Sequence, residues 1–328
     1  MKFSIIIPTY NVENYIIETL NSCWNQNILS TQYEIIVVDD GSTDNTLKVV
    51  EEFASKHKNI KVYTQENDGA PGKARNKGID VSSGEYLYFL DSDDLLPKNI
   101  LEDLYQKVVN NNADILIGKN IRFDDKGNKW GEYSLDEGFV DFENSSYFER
   151  DKISNVAHTR IFKREFIVNN DIRFIRKYPS QDTYFSTIAN YKAKTIYLYD
   201  KVIYLYRDRL DEDSKSLMQK RDYNTFYGRL MSMGTLVDHF NKVDNKYAEH
   251  LFNYRLRGII NLMQKSKVNS KDINKLLNVY IDKTKLKKDL FIPYNRAVYE
   301  ASEKKDMKNS ALFWVMVRAY SIMYYIKR

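Results

Sequence analysis

Apolar positions in the first 118 residues alternate between short continuous runs and helical spacing. Phe3 to Ile7 is a continuous apolar run ending at Pro8, which predicts a strand. Asn11 is placed to cap a helix whose inner face is Tyr15, Ile16, Thr19, Leu20 and Cys23. Glu34 to Val38 predicts a second strand, with Asp39-Asp40-Gly41-Ser42 as its turn. Leu47, Val50, Phe53 and Ala54 mark a second helix, and Ile60 to Thr64 a third strand. Gly69 to Gly72 reads as a flexible loop leading into a short helix near Arg75. Tyr86 to Leu90 predicts a fourth strand ending at Asp91. Ile100, Leu101, Leu104 and Val108 form the next helix face, and Ala113 to Gly118 a further strand.

Strands alternating with helices predict an α/β fold, a mainly parallel Rossmann-like sheet with helices on both faces. Such sheets bind ligands beyond the carboxyl ends of their strands. Three polar clusters fall at those ends: Thr9-Tyr10, Asp39-Asp40 and Asp91-Ser92-Asp93. They are therefore expected to converge on one sheet edge. Between 119 and 221 the pattern is mixed. Asp124 to Asn128 reads as a hairpin turn, Ile161 to Phe166 is amphipathic, and Thr195 to Tyr206 is rich in β-formers. From 222 onward the spacing is helical, as in Leu230, Met233, Leu236, Val237 and Phe240. The chain thus divides into 1–118, 119–221 and a helical module, 222–328.

Composition narrows the class. Of 328 residues, 43% are hydrophobic and 29% charged, as in a globular protein with a sizeable core. The formal net charge is only +5, with both signs interspersed. A nucleic-acid binder more often carries a concentrated basic block, so no nucleic-acid partner is expected. The slight basic excess suits anionic substrates or an anionic membrane face. Cys23, the one cysteine, lies among helix-spaced apolar residues and reads as core, not as a reactive thiol. The N-terminal apolar run is too short for a signal peptide, so a cytoplasmic location is expected. Ala311 to Ile326 is strongly apolar but holds Arg318, which is costly within a bilayer. Such a helix needs burial, so the module is expected to self-associate or dock an acceptor, with peripheral contact at the inner membrane face as the lesser option.

The stretch Tyr86 to Asp94 is the most informative chemically. A buried strand ends in carboxylates at Asp91 and Asp93. A divalent ion held by carboxylate oxygens offsets the charge of a departing diphosphate and keeps positions open for phosphate oxygens. The alternative is an acidic turn capping the helix after Pro97. A carboxylate of Asp39-Asp40 can accept from a uracil imide or a ribose hydroxyl; a capping turn would account for Ser42 and Asp44 but not for the adjacent pair. Pro8-Thr9-Tyr10 can frame a base, with Tyr10 stacking on it. Arg75, a permanent cation, can reach a phosphate, the alternative being a surface ion pair.

The runs SIIIPTYN at 4–11, VVDDGSTD at 37–44, ARNKGI at 74–79 and YFLDSDD at 88–94 resemble, in order and spacing, the family 2 glycosyltransferases with the GT-A fold. The resemblance implies that Asp40 recognises the base, with Pro8, Tyr10 and Ser92 beside the nucleotide. It implies that Asp91 and Asp93 bind a metal, Mn2+ or Mg2+, and the diphosphate, and that Arg75 lies near the donor. More faintly, residues 160–174 followed by SQDTYF at 180–185 are similar to the segment ending in an acidic pair, which makes Asp182 the catalytic base. Gln181 departs from the first acidic position, and any contact made by that carboxylate is in question. Within the family, the length, the segment FLDSDDLL and the helical tail are similar to enzymes that add N-acetylglucosamine to wall teichoic acid. The implied reaction is inverting transfer of GlcNAc, Glc or Gal from a UDP-sugar to a surface polymer such as teichoic acid or capsular polysaccharide. Residues 1–118 would then bind the nucleotide sugar and 119–221 supply the acceptor side with the base. The rivals are a nucleotidyltransferase, for which no Gly-rich triphosphate loop of the P-loop kind is seen, and an inactive carbohydrate-binding protein, against which the joint retention of Asp91, Asp93 and Asp182 speaks.

Overall fold

The computed structural model describes residues 1–141, 156–209, 222–264, 266, 268 and 270–284. The apolar stretch 311–326 lies outside them. The chain forms two compact units, one of residues 1–177 and 181–214, the other of 178–180 and 215–328.

The first unit is built on one sheet. Its strands are β1 (Phe3–Thr9), β2 (Tyr33–Asp39), β3 (Ile60–Thr64), β4 (Tyr86–Phe89), β5 (Ile115–Phe123), β6 (Lys129–Trp130), β7 (Gly138–Phe139), β8 (Arg160–Lys163) and β9 (Ile196–Arg207). The order is β3-β2-β1-β4-β8-β5-β9-β7, with β6 paired to β5. β3, β2, β1 and β4 are parallel, as are β5 and β9. The sheet departs from simple alternation at β8, which lies antiparallel between β4 and β5. The amphipathic stretch 161–166 splits into the last residues of β8 and the start of a short helix.

Helices α1 (Ile16–Trp24), α2 (Thr46–Ala54), α3 (Gly72–Val81), α4 (Leu101–Asn110), α5 (Arg164–Asn169) and α6 (Gln181–Lys192) belong to the same unit. Alternation along β1 sorts them by face. Ile5 and Ile7 share a core with Ile16, Leu20 and Cys23 of α1, Val50 of α2, and Leu101, Leu104 and Val108 of α4. On the other face Ile6 meets α3 at Gly78, where a Cβ would strike the Ile6 side chain. Farther along, Phe89, Phe162, Phe174 and Phe185 pack edge to face or stacked, fixing α6 against β4 and β8. Cys23 is core, and burial pushes its thiol up to about 12.

Asn11 does not cap α1, which begins at Ile16 after Tyr15. Its backbone takes φ of 50°, and its side chain accepts from Thr43 N at 2.8 Å, tying the loop after β1 to the loop after β2. The turn at 124–128 is as expected: Gly127 has φ of 83°, and Asp124 Oδ1 accepts from the backbone of Lys126 and Asn128.

The second unit is helical in its described residues, with α7 (Tyr223–Phe240), α8 (Asn245–Gln264) and α9 (Ser270–Thr284). Phe252 of α8 stacks on Tyr280 of α9, with ring centroids 5.2 Å apart. Among the described residues no helix is long and apolar enough to cross a membrane.

Candidate active site

The parallel strands β1, β2 and β4 end on one edge, and the chain crosses over there between β1 and β4. The last rung of the β1–β4 ladder is Leu90 N–H to the Ile6 carbonyl, at 3.0 Å. Pro8 has no N–H for another rung, so the strands part just where Asp91 begins. This is the crevice at which open α/β sheets bind ligands.

The three polar clusters do share this edge. Thr9 and Asp39 are register partners, and Asp40 N–H donates to the Thr9 carbonyl at 2.8 Å. Asp39 is used internally: it accepts from Ser42 N at 2.9 Å and Ser42 Oγ at 2.5 Å. Asp40 is buried; its Oδ1 accepts from Gln65 Nε2 at 2.6 Å and its Oδ2 from Asp68 N at 3.3 Å. Each carboxylate oxygen has two lone pairs, so Asp40 retains acceptor capacity. Pro8 is buried within β1, while Tyr10 is 47% exposed.

The loop after β4 is held by the end of β9. Tyr204 hydroxyl accepts from Asp91 N–H at 3.2 Å and donates to Asp94 Oδ2. Asp94 Oδ1 accepts from Arg207 N at 2.7 Å. Arg207 also donates to the Asp93 carbonyl and pairs with Glu18 and Asp125. From the other side, Thr19 Oγ1 donates to the carbonyls of Ser92 and Asp94 at 3.0 and 2.9 Å. Ser92 itself is buried. Burial, with Asp93 and Asp91 adding to it, holds the Asp94 carboxyl well above the usual carboxylate range. Asp94 is thus a buried strut, whereas Asp91 and Asp93 keep side chains 31% and 19% exposed.

Arg75 is buried rather than at the surface, on the fourth residue of α3. Its Nη2 donates to Asp91 Oδ1 at 2.5 Å and its Nη1 to Asp182 Oδ1 at 2.9 Å. One guanidinium therefore joins the strand-end carboxylate to the second residue of α6. Burial alone would raise the Asp91 carboxyl, but Arg75, His158 and Arg209 outweigh it and hold it below the ordinary range. Burial also raises the Asp93 carboxyl, and there the opposing Arg209 does not overcome it. Gln181, at the departed acidic position, is buried, and its Oε1 has no partner among the described residues.

Asp91 and Asp93 are hard oxygen donors of the kind Mn2+ and Mg2+ take, two residues apart and reachable from solvent. Among the described residues no three His, Cys, Asp or Glu side chains gather as a cage, so ligand oxygens and water would complete the shell.

Four groups at this site lie outside the sequence motifs, His158, Tyr204, Arg207 and Arg209, and a fifth, Arg160, opens the segment 160–174 without being singled out. His158 stacks at a tilt on Tyr204, centroids 4.5 Å apart, and burial lowers its pKa despite Asp91 and Asp182. Arg160 is fully buried and donates from Nη1 to Asn190 at 2.5 Å; burial lowers its pKa to about 9. Arg207 and Arg209 follow the β-rich run 195–206. Strand-end cations, weighed as strand-end carboxylates are, include both; His158 precedes the segment 160–174, and Arg160 stands at the start of a strand rather than its end.

Comparison with known proteins follows the same lines. The model of the glycosyl transferase family 2 matches residues 4–169. TarS of Staphylococcus aureus, a poly(ribitol-phosphate) beta-N-acetylglucosaminyltransferase, is 34% identical over 218 residues, which is 66% of this chain and 37% of TarS. A poly(ribitol-phosphate) beta-glucosyltransferase of Bacillus spizizenii is 32% identical over 232 residues, covering 70% of this chain and 36% of the relative. The chain thus spans little more than a third of the length of these two relatives. The crystal structure of residues 1–349 of S. aureus TarS with UDP-GlcNAc superposes with a TM-score of 0.73 at 25% identity, covering 98% of this chain and 91% of that one.

Proposed function

This chain belongs to glycosyl transferase family 2, and from that premise we propose that it is an inverting glycosyltransferase. It moves a hexose, GlcNAc, Glc or Gal, from a UDP-sugar to a hydroxyl of a surface polymer of the poly(ribitol phosphate) or capsular type. The observation that carries the reading is the Arg75 bridge, which puts Asp91 and Asp182 on two ends of one guanidinium at the sheet crevice. The donor and acceptor classes are supported by what the named relatives are called and by the UDP-GlcNAc bound to TarS.

In this reading Asp40 and Tyr10 take the base, Asp40 by accepting a hydrogen bond and Tyr10 by stacking. Asp91 and Asp93 would hold Mn2+ or Mg2+, which when bound supplies positive charge beside the leaving diphosphate. Asp182 takes the proton of the acceptor hydroxyl as its oxygen attacks the anomeric carbon. Arg75 fixes the direction of the Asp182 carboxylate through the hydrogen bond from its Nη1. Holding both substrates in line supplies much of the rate, since translational freedom is removed before reaction.

The test is UDP release from UDP-GlcNAc, UDP-glucose and UDP-galactose, each with and without poly(ribitol phosphate). Polymer-stimulated release that yields the opposite anomeric configuration supports the proposal. Release of pyrophosphate from a triphosphate and sugar phosphate instead would replace it with nucleotidyl transfer.

A further inference from the structure

Arg209 lies two residues beyond the end of β9. Its Nε donates to Oδ2 of Asp93 at 2.8 Å, and its Nη2 lies 2.7 Å from the same oxygen. The guanidinium carbon also sits 4.6 Å from the ring centroid of Tyr15. Both charged side chains are 19% exposed. Arg207, by contrast, is committed to Glu18, Asp125 and the Asp93 carbonyl. The backbone is anchored up to Asp208, whose N–H donates to the Phe123 carbonyl at 2.8 Å. Arg209 thus reaches Asp93 from just beyond this anchored backbone.

We propose that Arg209 occupies, in the donor-free protein, the cation's place on Asp93, so that a divalent ion and a nucleoside diphosphate bind cooperatively. The proposal rests on the reading that Asp91 and Asp93 hold a divalent ion. A guanidinium and a divalent cation held on one carboxylate repel each other, so each weakens the other's hold on Asp93. An ion that takes Oδ2 displaces Arg209 and leaves it without this counter-charge. An anionic diphosphate arriving at the crevice neutralises the released guanidinium, so each ligand eases the binding of the other. Linkage requires the effect to be reciprocal.

Calorimetric titration of the full chain with Mn2+, alone and with saturating UDP, tests this. Wild type should bind Mn2+ weakly alone and at least about tenfold more tightly with UDP, within the usual range of coupling between sites. Arg209→Gln should bind Mn2+ several-fold more tightly than wild type when UDP is absent, and the UDP-dependent gain should shrink. Arg209→Lys keeps the charge and should stay close to wild type. If Arg209→Gln binds no more tightly than wild type, while both bind Mn2+ in the presence of UDP, the exchange is refuted and the metal site stands. A match between Arg209→Lys and Arg209→Gln also refutes it, since charge would not be the cause. No Mn2+ binding by either protein even with UDP removes the metal site, and the exchange with it.

Discussion

Arg75 carries one positive charge and faces two carboxylates, so its two ion pairs are not independent. Arg75→Met leaves Asp91 and Asp182 facing each other without a counter-ion. Removing one partner of a buried pair costs about 3–5 kcal/mol. Asp91 and Asp182 remain 31% and 22% exposed, so water screens part of that. Urea denaturation should therefore show a loss of roughly 1–3 kcal/mol. Arg75→Lys keeps the charge but replaces a planar fork by a point donor, which cannot span both carboxylates. Its stability should fall less than its rate, which should drop by at least about tenfold if positioning of Asp182 contributes as general-base catalysis does. Wild-type turnover by Arg75→Lys would show that the bridge has no catalytic role. Asp182→Asn separates a base from a helix-end carboxylate, because Asn serves nearly as well in a cap. UDP affinity should persist while kcat falls by roughly 10²–10⁴-fold. A near-normal rate would remove Asp182 from the mechanism.

At the scale of elements, the strand ends opposite the site are joined by Glu34 on β2. It is 1% exposed and accepts from Ser4 Oγ of β1 at 2.6 Å, Lys61 Nζ of β3 at 2.7 Å, and Ser83 N and Oγ at 2.7 and 2.8 Å. Burial would raise its pKa, but Lys61, Ser4 and Ser83 together bring it below the ordinary value. A carboxylate lowered on folding stabilises the protein fully above its unfolded pKa, and that stability is lost as pH falls through the folded value. Glu34→Ala should cost roughly 3 kcal/mol near neutrality, as for one partner removed from a buried pair. Its deficit against wild type should shrink as both are acidified below the ordinary glutamate range. A deficit that is the same at neutral and acid pH would show that the loss is one of packing alone.

The same elements show what the sequence makes legible. Continuous apolar runs ending in Pro8, Asp39 and Asp91 mark buried parallel strands, and their shared edge follows from the βα alternation. The direction of β8 is not legible, because four residues, two apolar and two basic, carry no signal of which way a strand runs. The start of α1 is missed because Asn11 is drawn into a tertiary contact with Thr43, which overrides its local capping preference. The motifs find Asp91, Arg75 and Asp182 separately. That one buried guanidinium joins them depends on the packing of α3 and α6 against the sheet, through Gly78 on Ile6 and Phe185 on Phe89, and no single motif holds that information.

For the molecule as a whole, the division into two compact units has a thermodynamic consequence. Two units need not unfold together, so a single unfolding free energy need not describe the chain. Every residue assigned to donor, cation or proton transfer here, from Pro8 to Arg209, belongs to the first unit. A ligand that binds only the folded form stabilises the unit that holds its site, by about 2.7 kcal/mol at a hundredfold excess over Kd. Differential scanning calorimetry of the full chain is expected to resolve two transitions. UDP with Mn2+ should move one of them upward by a few degrees, because about 1 kcal/mol shifts a domain of 150–250 residues by roughly 2–4 °C. The other should stay in place. Assignment needs no fragment: Asp40→Ala, which removes an acceptor proposed for the base, should abolish the shift of the mobile transition and leave the fixed one unchanged. If both transitions move together with ligand, the donor site draws on the helical unit as well, and the roles given to the residues of the first unit are incomplete.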